Sequence, residues 1–125
     1  MIQIAIVEDE EIYVKQLTEY IRKYQTERGR AIKVTVFGDG EDIIENYSGG
    51  FDIILMDIQM QFMDGMTAAE KIRQMDQKVI IMFITNMIQY AVRGYEVDAM
   101  DYVVKPVEYF SFSQSCLYMV SASML

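Results

Sequence analysis

Five short apolar runs, separated by segments of helical period, constrain this chain more than any other feature. Ile2-Gln3-Ile4-Ala5-Ile6-Val7 is largely apolar and reads as a central strand, and Val79 to Ile84 is apolar throughout. Ala31 to Phe37 sets Ile32, Val34 and Val36 against Lys33 and Thr35, the alternation of an edge strand. Phe51 to Met56 and Tyr102-Val103-Val104 supply the third and fifth strands. After the first strand, Tyr13, Val14, Leu17, Tyr20, Ile21 and Tyr24 recur at the spacing of one helical face, which Gly29 closes. A short helix is predicted from Asp39 to Tyr47, stopped by Ser48-Gly49-Gly50. Asp64-Gly65 opens another through Met66, Ala69, Ile72 and Met75, with Thr67 and Glu70 at capping-box spacing. Met87, Ile88, Ala91, Val92 and Tyr95 fit a fourth helix, and a last one is predicted to begin near Pro106.

Strand alternating with helix implies a parallel sheet covered on both faces. Right-handed crossovers and small size select an α/β, flavodoxin-like, doubly wound five-stranded sheet of order 2-1-3-4-5. Residues 1–112 are predicted to form one such domain, and 125 residues that are 52% hydrophobic suffice for its core. Sheets of this kind bind ligands beyond the carboxyl ends of their strands, at the switch point between strands 1 and 3. The residues that follow each strand are therefore the ones to read.

Glu8 and Asp9 follow the first strand, Asp57 the third, Thr85 the fourth and Lys105 the fifth. Three carboxylates thus converge with one ammonium and one hydroxyl. Like charges about 5 Å apart at an effective dielectric near 20 cost roughly 3 kcal/mol per pair, more than one lysine offsets. A divalent cation held by oxygen ligands would, and such ligands select Mg2+ or Mn2+ over zinc. A carboxylate-held metal suits phosphoryl transfer, and an aspartate can be the nucleophile that becomes an acyl phosphate. Asp57 stands alone after an apolar strand and is the best acceptor, with Glu8 and Asp9 as metal ligands. Singly, each residue also has an ordinary role: Asp9 as a helix cap, Asp57 as a loop carboxylate, Thr85 as a strand end, Lys105 as a solvated lysine and Pro106 as a first helical residue. Their coincidence at four strand ends favours a site.

Composition removes other chemistries. Histidine is absent, which excludes Ser-His and Cys-His pairs and histidine-ligated zinc. A net charge of -8 opposes direct contact with nucleic-acid phosphates. The single Cys116 fits a reducing, cytoplasmic setting, no apolar run approaches the roughly 20 residues of a membrane span, and Met1-Ile2-Gln3 does not open a secretion signal.

Four pieces together resemble the receiver domain of bacterial two-component response regulators: Ile4-Ala5-Ile6-Val7-Glu8-Asp9-Glu10; Asp57-Ile58-Gln59-Met60 with Met63-Asp64-Gly65; Phe83-Ile84-Thr85-Asn86; and Tyr102-Val103-Val104-Lys105-Pro106. The stretch Thr85 to Ala99, followed by Pro106 to Phe110, is similar to the subgroup whose output is a LytTR DNA-binding domain. The resemblance implies that Asp57 takes a phosphoryl group from a sensor histidine kinase. It implies Mg2+ bound by Glu8, Asp9, Asp57 and the backbone carbonyl of Gln59. Thr85 and Lys105 would hold the phosphoryl group, Thr85 and Tyr102 would report the switch, and the Lys105–Pro106 peptide would be cis. DNA would be reached only through an output domain that this chain lacks, and no membrane contact is implied. The family's loop proline is missing where Gln61-Phe62 stands.

Tyr109 to Leu125 carries no charge and holds Ser111, Ser113, Ser115, Ser121 and Ser123, so residues 113–125 read as an atypical tail. Phe112, Cys116, Val120, Met124 and Leu117 form an apolar stripe that predicts either fraying beyond residue 112 or a homodimer through the tail. Two other functions fit the residues: a Mg2+-dependent phosphatase-like hydrolase, against which Gln59 stands where a general acid would be needed, and a pseudo-receiver that only binds partners. A receiver would be no enzyme toward outside substrates, only toward its own phosphate.

Overall fold

A computed structural model describes residues 1–124, and Leu125 lies outside the described residues. Its five parallel strands are β1 (Ile2–Val7), β2 (Ile32–Phe37), β3 (Ile53–Met56), β4 (Ile80–Thr85) and β5 (Asp101–Val104), in the order β2-β1-β3-β4-β5. Helices α1 (Glu11–Arg28), α2 (Gly40–Glu45), α3 (Gly65–Met75) and α4 (Tyr109–Ser123) cover the sheet, and two 3-10 segments, Ile88–Tyr90 and Val92–Val97, join β4 to β5. The predicted sheet and its order are both present.

The pleat divides each strand between two cores. Ile4, Ile6, Ile53, Leu55, Met82 and Ile84 face Leu17, Ile21 and Tyr24 of α1 and Phe112, Cys116, Met119 and Val120 of α4. Ala5, Val7, Ile54, Met56, Ile81 and Phe83 face Ile43 of α2, Met66, Ala69 and Ile72 of α3, and Val97. Each fully buried aliphatic or aromatic side chain contributes about 1.5–3 kcal/mol, so the central strands dominate stability. Val7 pairs with Met56, Met56 with Phe83, and Thr85 with Val104. That register delivers Glu8, Asp57, Thr85 and Lys105 to one rim.

The structure corrects four local expectations. Asp64, rather than Thr67, caps α3: its carboxylate accepts from the Thr67 N–H at 2.7 Å and the Thr67 hydroxyl at 3.1 Å, while Glu70 pairs with Arg93 at 2.8 Å. The segment from Met87 to Tyr95 is not an α-helix. Thr85 Oγ1 accepts the Met87 N–H, the Tyr102 hydroxyl donates to the Met87 carbonyl, and Arg73 Nε donates to the Val97 carbonyl, so side chains claim backbone groups at both ends of the segment. Gly94 near its end lowers helix propensity further. The last helix starts at Tyr109 rather than near Pro106: Glu108, in extended backbone, is the residue that precedes it, and the Lys105–Pro106 peptide is cis.

The fourth correction concerns the tail. It neither frays beyond residue 112 nor offers its whole stripe to another chain: Phe112, Cys116 and Val120 are buried against α1 and the sheet, leaving Leu117 and Met124 outside. Tyr20 joins the two helices, its hydroxyl donating to the Val107 carbonyl at 2.8 Å and its ring lying 5.5 Å from Phe112.

Candidate functional site

At the rim, Asp57 closes β3 as a buried carboxylate. Its backbone N–H donates to the Val7 carbonyl at 3.0 Å, and its Oδ1 accepts from the Ile58 N–H at 2.7 Å. Lys105 Nζ lies 3.0 Å from Asp57 Oδ2 and 2.6 Å from Glu8 Oε1. All three side chains are almost inaccessible, at 5%, 1% and 2% exposure for Asp57, Lys105 and Glu8. The other Glu8 oxygen accepts from the Glu10 N–H at 3.0 Å, so Glu8 is turned toward Lys105 and the start of α1.

A cleft of about 330 Å3 opens beside Asp57, lined also by Asp9, Glu10, Gln59, Met60, Gln61, Thr85 and Asn86. Asp9 is exposed at its mouth, Gln59 sits on the β3–α3 loop, and Thr85 is fully buried at its wall with its hydroxyl accepting from the Met87 N–H at 3.1 Å. Asp9, Asp57, Gln59 and Thr85 of the sequence-predicted set thus line the cleft, while Glu8 and Lys105 lie buried behind Asp57 and Tyr102 stands outside the lining. Tyr102, half-buried, packs its ring 5.9 Å from Phe83 and donates its hydroxyl to the Met87 carbonyl. Thr85 and Tyr102 therefore hold opposite ends of one residue's backbone. Pro106 is exposed outside the cleft.

Burial pushes the Glu8 carboxyl up to about 7, against the pull of the Lys105 ammonium and the Glu10 N–H. Burial also works against the Lys105 charge, but hydrogen bonds to Glu8 and Asp57 outweigh it and hold its pKa above the ordinary lysine value. Oxygens of Glu8, Asp9 and Glu10 can approach within 4.8 Å of one another. The charged groups lining the cleft, Asp9, Glu10 and Asp57, are all carboxylates, and no histidine or cysteine stands among the lining residues, which fits a hard divalent ion and not zinc.

Sequence reading missed three participants. Gly65 meets Asp57 directly: an added Cβ would lie 1.9 Å from the Asp57 carbonyl oxygen, while its N–H donates to the Ile58 carbonyl at 2.7 Å. Tyr13 places its ring 3.7 Å from Lys105 Nζ, covering the ammonium with a π face. Its place in the α1 apolar pattern concealed this. Glu10 joins Asp9 at the cleft and was legible only as part of an acidic run.

The family model described as response regulator receiver domain matches residues 4–114. Transcriptional regulatory protein YpdB of Escherichia coli is 33% identical over 107 residues, which cover 85% of this chain and 42% of YpdB. The chain therefore spans about two-fifths of that relative's length. The response regulatory domain of MrkE from Klebsiella pneumoniae superposes with a TM-score of 0.88 at 27% identity, covering 98% of both chains. The receiver domain of a Pseudomonas aeruginosa sensor histidine kinase, solved with a magnesium ion coordinated in its active-site cleft, gives a TM-score of 0.80 at 22% identity over 95% of this chain and 97% of its own.

Proposed function

This chain belongs to the response regulator receiver domain family, and we propose on that premise that it is switched by a phosphoryl group carried on Asp57. Receiver domains are regulatory modules of two-component systems and not enzymes in the ordinary sense. The observation that carries the proposal is the position of Asp57, in a cleft that Asp9 and Glu10 also line, with Lys105 Nζ 3.0 Å from its carboxylate. An Asp57 oxygen attacks the phosphorus of a sensor kinase's phosphohistidine. The P–N bond breaks, the imidazole leaves and takes up a proton, and a mixed carboxylic–phosphoric anhydride remains. Hydrolysis returns the carboxylate and inorganic phosphate, the only turnover the domain performs.

In this reading Asp9, Asp57 and the Gln59 carbonyl would hold Mg2+, with Glu8 behind them, and the bound ion would supply positive charge against the transferring oxygens. Lys105 exchanges its contact with Asp57 for one with the phosphoryl group, and Thr85 turns its hydroxyl from the Met87 N–H toward the same group. Tyr102, tied to the same residue, follows. The readout passes to a LytTR-type DNA-binding output domain, in the cytoplasm. Among the described residues no helix is long and apolar enough to cross a membrane.

Intact mass after incubation with acetyl phosphate and Mg2+ tests the proposal. One added phosphate is expected on the parent chain, and none on Asp57→Ala or on the parent in excess chelator. Equal labelling of Asp57→Ala would overturn it.

A further inference from the structure

Asp39 lies outside the cleft beside Asp57, yet the residue is only 5% exposed, and among the described residues no lysine or arginine pairs with it. Its partners are backbone N–H groups. Oδ1 accepts from Glu41 at 3.0 Å and from Met63 at 2.9 Å, and Oδ2 accepts from Phe62 at 3.0 Å. The first of these caps α2; the other two reach across to the β3–α3 loop. That loop carries Gln59, Met60 and Gln61 into the cleft beside Asp57. Residues 58–64 contain no proline to stiffen them, and the Phe62 side chain stands 72% exposed, so it cannot anchor the loop by burial. Gly40 completes the contact: a Cβ there would lie 2.6 Å from the Met63 carbonyl oxygen and 3.3 Å from that of Asp64. The Asp39-Gly40 turn and the acceptor loop are thus fitted backbone to backbone, with one carboxylate as the tie.

We propose that Asp39 is a positioning residue for phosphoryl acceptance, fixing the loop that presents the Gln59 carbonyl and one wall of the cleft beside Asp57. The inference rests on the reading of Asp57 as acceptor. The chemistry of the tie favours it: burial alone would disfavour a charged Asp39, but the N–H groups of Phe62, Glu41, Met63 and Gln61 outweigh that cost and hold its pKa below the ordinary carboxylate value. The loop is therefore held by a carboxylate that stays ionised. Such outer contacts, which orient groups that themselves bind a metal or substrate, typically carry about 10–100-fold in affinity or rate.

The test compares labelling by acetyl phosphate at saturating Mg2+, and the Mg2+ concentration at half-maximal rate, in Asp39→Ala, Asp39→Asn, Gly40→Ala and Asp76→Ala. Asp76 is the control, because its carboxylate likewise accepts backbone N–H groups, from Lys78 at 3.0 Å and Val79 at 3.1 Å, at the opposite end of the sheet. Asp39→Ala is expected to slow labelling about tenfold or more and to raise the Mg2+ requirement. Asp39→Asn, which keeps one acceptor oxygen, recovers part of the loss. Gly40→Ala keeps the carboxylate, pushes the loop away and slows labelling too, and it decides the matter should Asp39→Ala not fold. Asp76→Ala loses stability but labels at the parent rate. Parent-like labelling of folded Asp39→Ala, or equal slowing by Asp76→Ala, would overturn the inference while leaving Asp57 as acceptor. An unlabelled parent would overturn the acceptor assignment itself, and the role of Asp39 with it.

Discussion

Glu8 and Asp57 share one buried ammonium, and the burial of Glu8, which that ammonium only partly offsets, sets how the metal-free site responds to pH. The Glu8 carboxyl titrates at about 7 in the folded chain against an ordinary value of 4.5. Between those values the folded state keeps a proton that the unfolded chain has released, so stability falls as pH rises through that window. The loss is at most about 3 kcal/mol, taking 1.36 kcal/mol per pKa unit. Urea unfolding in chelator at about pH 5 and about pH 7.5 should show this decline in the parent and a flatter response in Glu8→Gln; an equal slope in both would remove Glu8 as its source. Lys105→Met strands two buried carboxylates and should cost about 3–5 kcal/mol, measured by the same unfolding at about pH 7.5. These residues were legible in sequence because each follows an apolar run, and period alone places them at one rim. What period could not give was direction. Glu8 and Asp9 are neighbours, yet Glu8 points inward to Lys105 and Asp9 outward to the cleft mouth, and only packing against Tyr13 and α1 decides which does which.

At the scale of elements, the strands could be read and two connecting segments could not. β1, β3 and β4 are apolar because both faces are covered, a signal carried by composition alone. The stretch after β4 has helical spacing, but spacing records only which side chains are apolar, not who takes the backbone hydrogen bonds. Arg73 of α3 takes several: its guanidinium donates to the carbonyls of Val97 at 2.6 Å, Val79 at 2.6 Å and Asp98 at 3.2 Å. Removing it leaves half-buried carbonyls unpaired, so Arg73→Ala should cost about 2–4 kcal/mol, and Arg73→Lys should restore less than half, since the three donors of an ammonium sit on one nitrogen and cannot span the carbonyls that three guanidinium nitrogens reach. Thermal or urea unfolding checks both. In α4 the serines misled by composition. Ser113 and Ser123 turn their hydroxyls back to the carbonyls of Phe110 and Val120 at 2.9 and 2.8 Å, and Ser115 donates to Asp101 at 3.1 Å. Their polar groups are met locally, and the apolar residues between them pack inward. Phe112→Ala should therefore cost about 3–5 kcal/mol in urea unfolding, where a frayed tail would cost nothing.

Across the whole molecule, the two sides of the sheet end differently. One rim holds the cleft beside Asp57. The face formed by the 3-10 segments, β5 and α4 carries two adjoining depressions of about 300 Å3 each, both bordered by Met100 and Asp101. Val92, Tyr95 and Tyr118 stand 76%, 88% and 75% exposed around them. A homodimer would use these side chains rather than the buried stripe of α4, because exposed apolar patches of this kind mark contact surfaces. Sedimentation velocity of the phosphorylated chain should then show self-association that Tyr118→Glu weakens; identical behaviour of the two proteins would dissociate this face from assembly. Thr85 and Tyr102 link that face to the cleft through Met87, so any such association should depend on phosphate. All of it depends on where the phosphate goes, and one measurement locates it directly. Borohydride reduction of the acetyl phosphate-treated chain converts an aspartyl phosphate to homoserine, and peptide mass mapping finds its position. Homoserine at position 57 alone is the predicted result; homoserine at Asp9, Asp52 or Asp64, or at no position in a chain that has gained a phosphate, would contradict the account.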